Sequence, residues 1–180
     1  MTKTLIVYHS RSGNTRRIAQ RLAPRLHADR DEIRIVQPMA GALGYALCAI
    51  EAITGLTPAL RPSHRDPADY DLVVVGTPVW FWSLSSPVRS WLESHPRLPG
   101  RIAFFCTMGG SGAARVFGMM TGLSHRPHAT LALTDSQIAR GQLEELDEFV
   151  RRLQAPARAP AHRSTAGARR HRIGHAGADA

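Results

Sequence analysis

Six residues, Ser10-Arg11-Ser12-Gly13-Asn14-Thr15, place three hydroxyls, a side-chain amide, a guanidinium and a glycine in unbroken succession. Such a set suits an anion with many acceptor oxygens. It combines hydroxyl and amide donors, a glycine able to take φ > 0, and the unpaired backbone N–H groups of a helix start. The run follows the apolar Leu5-Ile6-Val7-Tyr8 and precedes a helical pattern opening at Arg16, so it lies where a strand hands over to a helix. It therefore predicts a phosphorylated ligand at that edge of the sheet. Taken alone, the loop also reads as an ordinary capped helix start, with Ser12 or Asn14 as the cap.

Two further segments bear on that choice. Gly76-Thr77-Pro78-Val79-Trp80-Phe81-Trp82 follows Leu72-Val73-Val74-Val75, a continuous apolar run of the kind buried on both faces of a parallel sheet. Three large rings on a loop at the carboxyl end of a strand are hard to explain as core alone. At least one is expected to fold over the next helix, and another to stack on a flat ligand. Cys106-Thr107-Met108-Gly109-Gly110-Ser111-Gly112 follows the strand Ile102-Ala103-Phe104-Phe105, and its glycines would let backbone amides approach a ligand edge closely. Three strand-to-loop switches thus converge on one edge, where ligands of open α/β sheets bind.

The order of these three loops resembles the flavodoxin-like superfamily, in particular small single-domain flavodoxins and flavin-reductase-type proteins. The resemblance covers roughly Lys3 to Leu153, and Ser10 to Thr15 fits the hydroxyl-x-hydroxyl-Gly-Asn-Thr pattern at every defined place. It implies a doubly wound α/β fold with five parallel strands in the order 2-1-3-4-5 and helices on both faces. It also implies FMN as the cofactor, held without a metal. Carried over residue by residue, it puts Ser10, Arg11, Ser12, Gly13, Asn14 and Thr15 on the phosphate. Thr77, Pro78, Val79 and Trp80 fall on the ribityl chain and ring, with Phe81 as a further stacking residue. Thr107, Met108, Gly109, Gly110 and Ser111 fall on the polar edge of the ring. The flavin would supply the chemistry, so no side chain is assigned as acid or base.

The elements needed to position these loops are legible as alternating patterns. Strand Thr4 to His9 leads to helix Thr15 to Leu26, whose Ile18, Leu22 and Leu26 share one face. Strand Ile33 to Val36 and a helical stretch around Gly44 to Ile53 follow. Strand Leu72 to Gly76, helix Leu84 to Leu92, strand Ile102 to Thr107, helix Ala113 to Gly122, strand Thr130 to Leu133 and helix Gln142 to Leu153 complete the series.

Composition bounds the remainder. The chain has 180 residues, of which 43% are hydrophobic, enough for one domain with a sizeable core. Residues 1–154 are read as that domain. Residues 155–180, made mostly of Ala, Arg, Pro, His and Gly, cannot offset the entropy of ordering and are read as a disordered basic tail. Its arginines alone are a weak signal for nucleic acid. No apolar run approaches the ~20 residues of a membrane span and no signal-peptide pattern opens the chain, so a cytoplasmic location is expected. A net charge of +9 departs from the acidic electron carriers that the chain resembles, and it points to an acidic redox partner. NAD(P)H is the other candidate donor.

Cys48 and Cys106 lack a CxxC spacing and read as packed thiols. A phosphatase-type loop on Cys106 would need an arginine six residues on, where Gly112 stands. The nine histidines show no ligand spacing, so no metal site is expected.

Overall fold

The computed structural model describes residues 2–36 and 58–155. Strand β1 (Thr4–Tyr8) is followed by helix α1 (Asn14–Leu26), edge strand β2 (Asp29–Glu32) and a short 3-10 turn at Pro67–Asp69. Next come β3 (Leu72–Trp80), the two-residue β4 (Ser83–Leu84), α2 (Ser86–Ser94), β5 (Arg101–Met108) and α3 (Ala113–Leu123). The chain continues through β6 (Ala129–Thr134), α4 (Asp135–Arg140) and α5 (Glu144–Gln154). The sheet order is β2-β1-β3-β5-β6, with these neighbours paired in parallel, and β4 folds back antiparallel on the end of β3. Counting the parallel strands alone, this is the expected order 2-1-3-4-5.

The sheet is covered on both faces because its central strands are apolar throughout. Residues of opposite parity on β1, β3 and β5 enter two separate cores. Ile6, Val74 and Phe105 pack with Ile18, Leu22, Phe149 and Leu153 from α1 and α5. Leu5, Val75 and Phe104 pack with Val88, Leu92, Val116 and Met120 from α2 and α3. Ile18 and Leu22 are fully buried, each contributing about 2 kcal/mol to holding α1, and with it the loop at its N-terminus, against the sheet.

Strand β2 corrects the expected Ile33 to Val36. The ladder pairs Asp29 to Glu32 with Leu5 to Tyr8, while Ile35 makes only an isolated antiparallel bridge to Leu60. An edge strand needs only its backbone to pair, and its charged side chains discourage pairing with another chain. Apolar periodicity therefore pointed to the wrong four residues. The helix expected to start at Leu84 starts at Ser86 because β4 takes Ser83 and Leu84. The segment after β6 divides into α4 and α5, with Gly141 at φ 72 ending the first. The helical stretch expected around Gly44 to Ile53, Cys48 and the chain beyond Ala155 lie outside the described residues. Among the described residues no helix is long and apolar enough to cross a membrane.

Candidate functional site

The three loops do meet at one edge. Gly13, at φ 96, forms the N-cap of α1 and makes no side-chain cap of its own. The Ser10 hydroxyl instead accepts from the Arg16 amide at 3.1 Å, so capping falls to Ser10, not to Ser12 or Asn14. The first turn carries no acidic residue, which keeps the positive end of the helix dipole available to an anion. The Thr15 and Thr107 hydroxyls bond to each other at 2.9 Å in the interior. This contact ties the first loop to the end of β5.

The second loop is a β-hairpin. Trp80 pairs with Ser83 across Phe81 and Trp82, which stand at φ 48 and φ 57. Both central residues of the two-residue turn are thus left-handed, as a primed hairpin turn requires, and bulky residues there store roughly 1–2 kcal/mol each. What holds them is tertiary. The Trp82 indole N–H donates to the Ser111 hydroxyl at 2.8 Å. Gly112, at φ +108, lies so close that a Cβ would stand 2.9 Å from Val79 Cγ1 and 3.2 Å from Trp82 Cα.

A cleft of ≈ 490 Å³ opens between these loops, lined by Arg11, Ser12, Pro78, Val79, Trp80, Thr107, Met108, Gly109 and Asp135. A second groove of ≈ 240 Å³ shares Val79 and Gly109 with it and adds Phe81, Trp82, Gly110 and Ser111. Of the expected site residues, Thr15, Thr77 and Thr107 are buried, and the Thr77 hydroxyl bonds to the Pro78 carbonyl and Ser85. Ser10, Gly13, Asn14 and Thr15 shape the loop without lining the cleft.

Three residues outside the expected set belong to the site. His9 donates from Nδ1 to the Ile33 carbonyl at 3.0 Å and meets the Trp80 ring edge-on, with centroids 5.6 Å apart. Burial holds its pKa below the usual value, against the opposing pull of the Ile33 carbonyl and Glu32. Trp82 walls the second groove. Asp135 begins α4 and accepts from the Asn14 amide at 2.7 Å. A sequence signal for it existed, since Asp135 directly follows a buried strand at the same sheet edge. Arg16, beside the loop in sequence, is ion-paired to Glu32 at 2.6 Å. Cys106 is fully buried and its thiol is pushed up to about 12 by desolvation, so it is an inert core group. Among the described residues no cluster of metal-ligating side chains occurs.

The fold recurs in known proteins. A flavoprotein of Lactobacillus acidophilus, solved in complex with FMN, is 23% identical with a TM-score of 0.64, covering 78% of this chain and 98% of that one. Oxidised Flavodoxin 2 of Bacillus cereus is 15% identical with a TM-score of 0.55, over 83% and 96% of the two chains. An NAD(P)H:quinone oxidoreductase of Methanothermobacter marburgensis is 11% identical with a TM-score of 0.55, over 87% and 98%. These likenesses are of fold. No curated protein matches the chain in sequence. The flavodoxin family profile, however, matches residues 3–148, which include all three loops, their strands and the start of α5, and the chain belongs to the flavodoxin family.

Proposed function

We propose that the chain binds FMN in the cleft between the three loops and transfers electrons through it. The observation that carries this reading is the polarity of the cleft along its length. At one end stand Ser12, Arg11 and the N-terminus of α1, whose first turn carries no acidic residue, suited to a phosphate. At the other, Pro78, Val79, Trp80 and Met108 form apolar and aromatic walls, suited to a flat ring. Gly109 and Gly110 have no heavy atom within 4 Å of where a Cβ would stand, so their backbone offers close approach to a ring edge. The residues present therefore fit the group. FMN, when bound, supplies the redox chemistry.

The protein's own part is binding and tuning. Ser12 and the first turn of α1 hold the phosphate end, and Trp80, steadied by the edge of His9, walls the ring end. Apolar cover by Val79, Trp80 and Met108 disfavours negative charge beside them, which lowers the potential of a ring that becomes anionic on reduction. The charge of +9 favours an acidic redox partner protein. A second reading, an NAD(P)H-dependent oxidoreductase, draws on the groove between Phe81, Trp82 and Ser111, which adjoins the cleft and offers aromatic walls to a second planar ring.

A visible spectrum of the purified protein with FMN and then anaerobic NADPH tests both readings. Flavin bands that stay until dithionite or a reductase is added mean a carrier. Bands that bleach with NADPH mean a reductase. Absence of binding overturns the flavin assignment. Ser12→Ala should weaken FMN by about 1–2 kcal/mol in the same titration.

A further inference from the structure

The chain is strongly basic, yet the phosphate end of its cleft is not. Among the described residues, two charged ones line that cleft, Arg11 and Asp135, and they are opposite in sign. Arg16 faces Glu32 instead. Asp135 is held in place from two directions. The register Met108↔Thr134 sets the end of β6 beside the third loop. The capping box of Thr134 and Gln137 then fixes the first turn of α4, in which Asp135 stands. Its carboxylate accepts from the Asn14 amide at 2.7 Å across the phosphate loop. Among the described residues no cation forms an ion pair with it.

We propose that Asp135 sets the specificity of the phosphate end. Its hydrogen bond fixes the Asn14 side chain, while its charge opposes the phosphate. The loop therefore favours FMN over riboflavin by less than its donors alone would give, and flavin is held as an exchangeable ligand. This inference rests on the FMN reading above. The two effects are separable by chemistry. Asp135→Asn keeps an oxygen that can accept from Asn14 but removes the charge. Asp135→Ala removes both. Asp135 is exposed, and neither replacement opens a hole in the core.

The experiment titrates FMN and riboflavin into the full chain and both variants by flavin fluorescence, at low salt and at high salt, with thermal melts checking that each variant is folded. Asp135→Asn should bind FMN about tenfold more tightly at low salt, the scale of one like-charge contact near a surface. The gain should shrink at high salt, because screening acts on charge and not on shape, and riboflavin affinity should stay the same. Asp135→Ala should gain less than Asp135→Asn, because Asn14 loses its anchor. An Asp135→Asn variant with FMN affinity unchanged or lower, or with both flavins tightened equally, overturns the proposal. If the parent chain binds neither flavin, the FMN reading fails by itself. Inorganic phosphate is then the probe, followed through the amide NMR shifts of Gly13, Asn14 and Thr15. Tighter phosphate binding in Asp135→Asn upholds the charge effect without the flavin, and equal binding overturns it.

Discussion

The loop between β1 and α1 and the aromatic hairpin flank the same cleft but are built by opposite means. The loop Ser10 to Thr15 is locally consistent: its one left-handed position, φ 96, is taken by Gly13, and the Ser10 hydroxyl closes the turn on the Arg16 amide. The hairpin Trp80 to Ser83 is locally frustrated, with Phe81 and Trp82 in left-handed conformations that glycine or asparagine would adopt at lower cost. Distant contacts with Ser111 and Gly112 hold it. Strain retained against such a gradient belongs where side chains must be presented, and Phe81 and Trp82 remain 44% and 61% exposed beside the cleft.

The contrast breaks most readily at the glycines. Gly112→Ala should cost about 3 kcal/mol in urea unfolding, because the new methyl meets Val79 and the Trp82 backbone at a left-handed φ. Gly13→Ala should cost only about 1 kcal/mol, since nothing lies within 4 Å of its Cβ position and the backbone penalty stands alone. Equal costs would remove the distinction between the two regions.

The bond between Thr15 and Thr107 links the loop to the sheet. Either threonine changed alone to valine leaves a buried hydroxyl unpaired and should cost about 1–2 kcal/mol, while the double change should be nearly neutral. A double mutant that costs the sum of the singles would show that the two hydroxyls act independently.

Phe81→Asn sharpens the comparison from the other side. It should raise stability by about 0.5–1 kcal/mol through relief of the left-handed strain while weakening binding of any planar ligand at the groove. Loss of stability instead would mean that the phenyl ring contributes more packing than its backbone conformation costs.

The smallest effect belongs to pH. The folded pKa of His9 lies below its ordinary 6.5, so the unfolded chain takes up the proton first as acid is added. Stability attributable to His9 is complete above 6.5 and is lost as the pH falls through 6.5 towards the folded value. Urea midpoints at neutral and mildly acid pH should therefore differ more in the parent than in His9→Gln. An equal drop in both would assign the acid sensitivity to other groups.

The strands β1, β3 and β5 were legible because burial on both faces leaves long apolar runs, β6 because its buried residues alternate with more exposed ones, and α1 because Ile18, Leu22 and Leu26 mark a helical face. The turn between β1 and α1 was legible because Gly13 supplies its left-handed position. Strand β2 was not, since a charged edge strand is specified by the neighbour it pairs with and not by its own periodicity. Nor was the hairpin, because Phe81-Trp82 carries none of the glycine or asparagine that marks a two-residue turn. The nine scattered histidines concealed His9, whose contacts with Ile33 and Trp80 are 24 and 71 residues away along the chain.

By itself, the sequence marked the alternating strands and helices and the strand ends that the three loops follow, through short-range patterns of burial and the backbone freedom of Gly13. The order of the strands came with the resemblance of those loops to the flavodoxin-like superfamily. Tertiary structure alone decided that Thr15 spends its hydroxyl on Thr107, that Arg16 turns to Glu32, that Thr77 sinks beneath the cleft and that Asp135 stands over the phosphate loop. Each of these depends on how the elements pack, and contacts such as Thr15 to Thr107 and Asn14 to Asp135, 92 and 121 residues apart, have no local periodicity from which to be read.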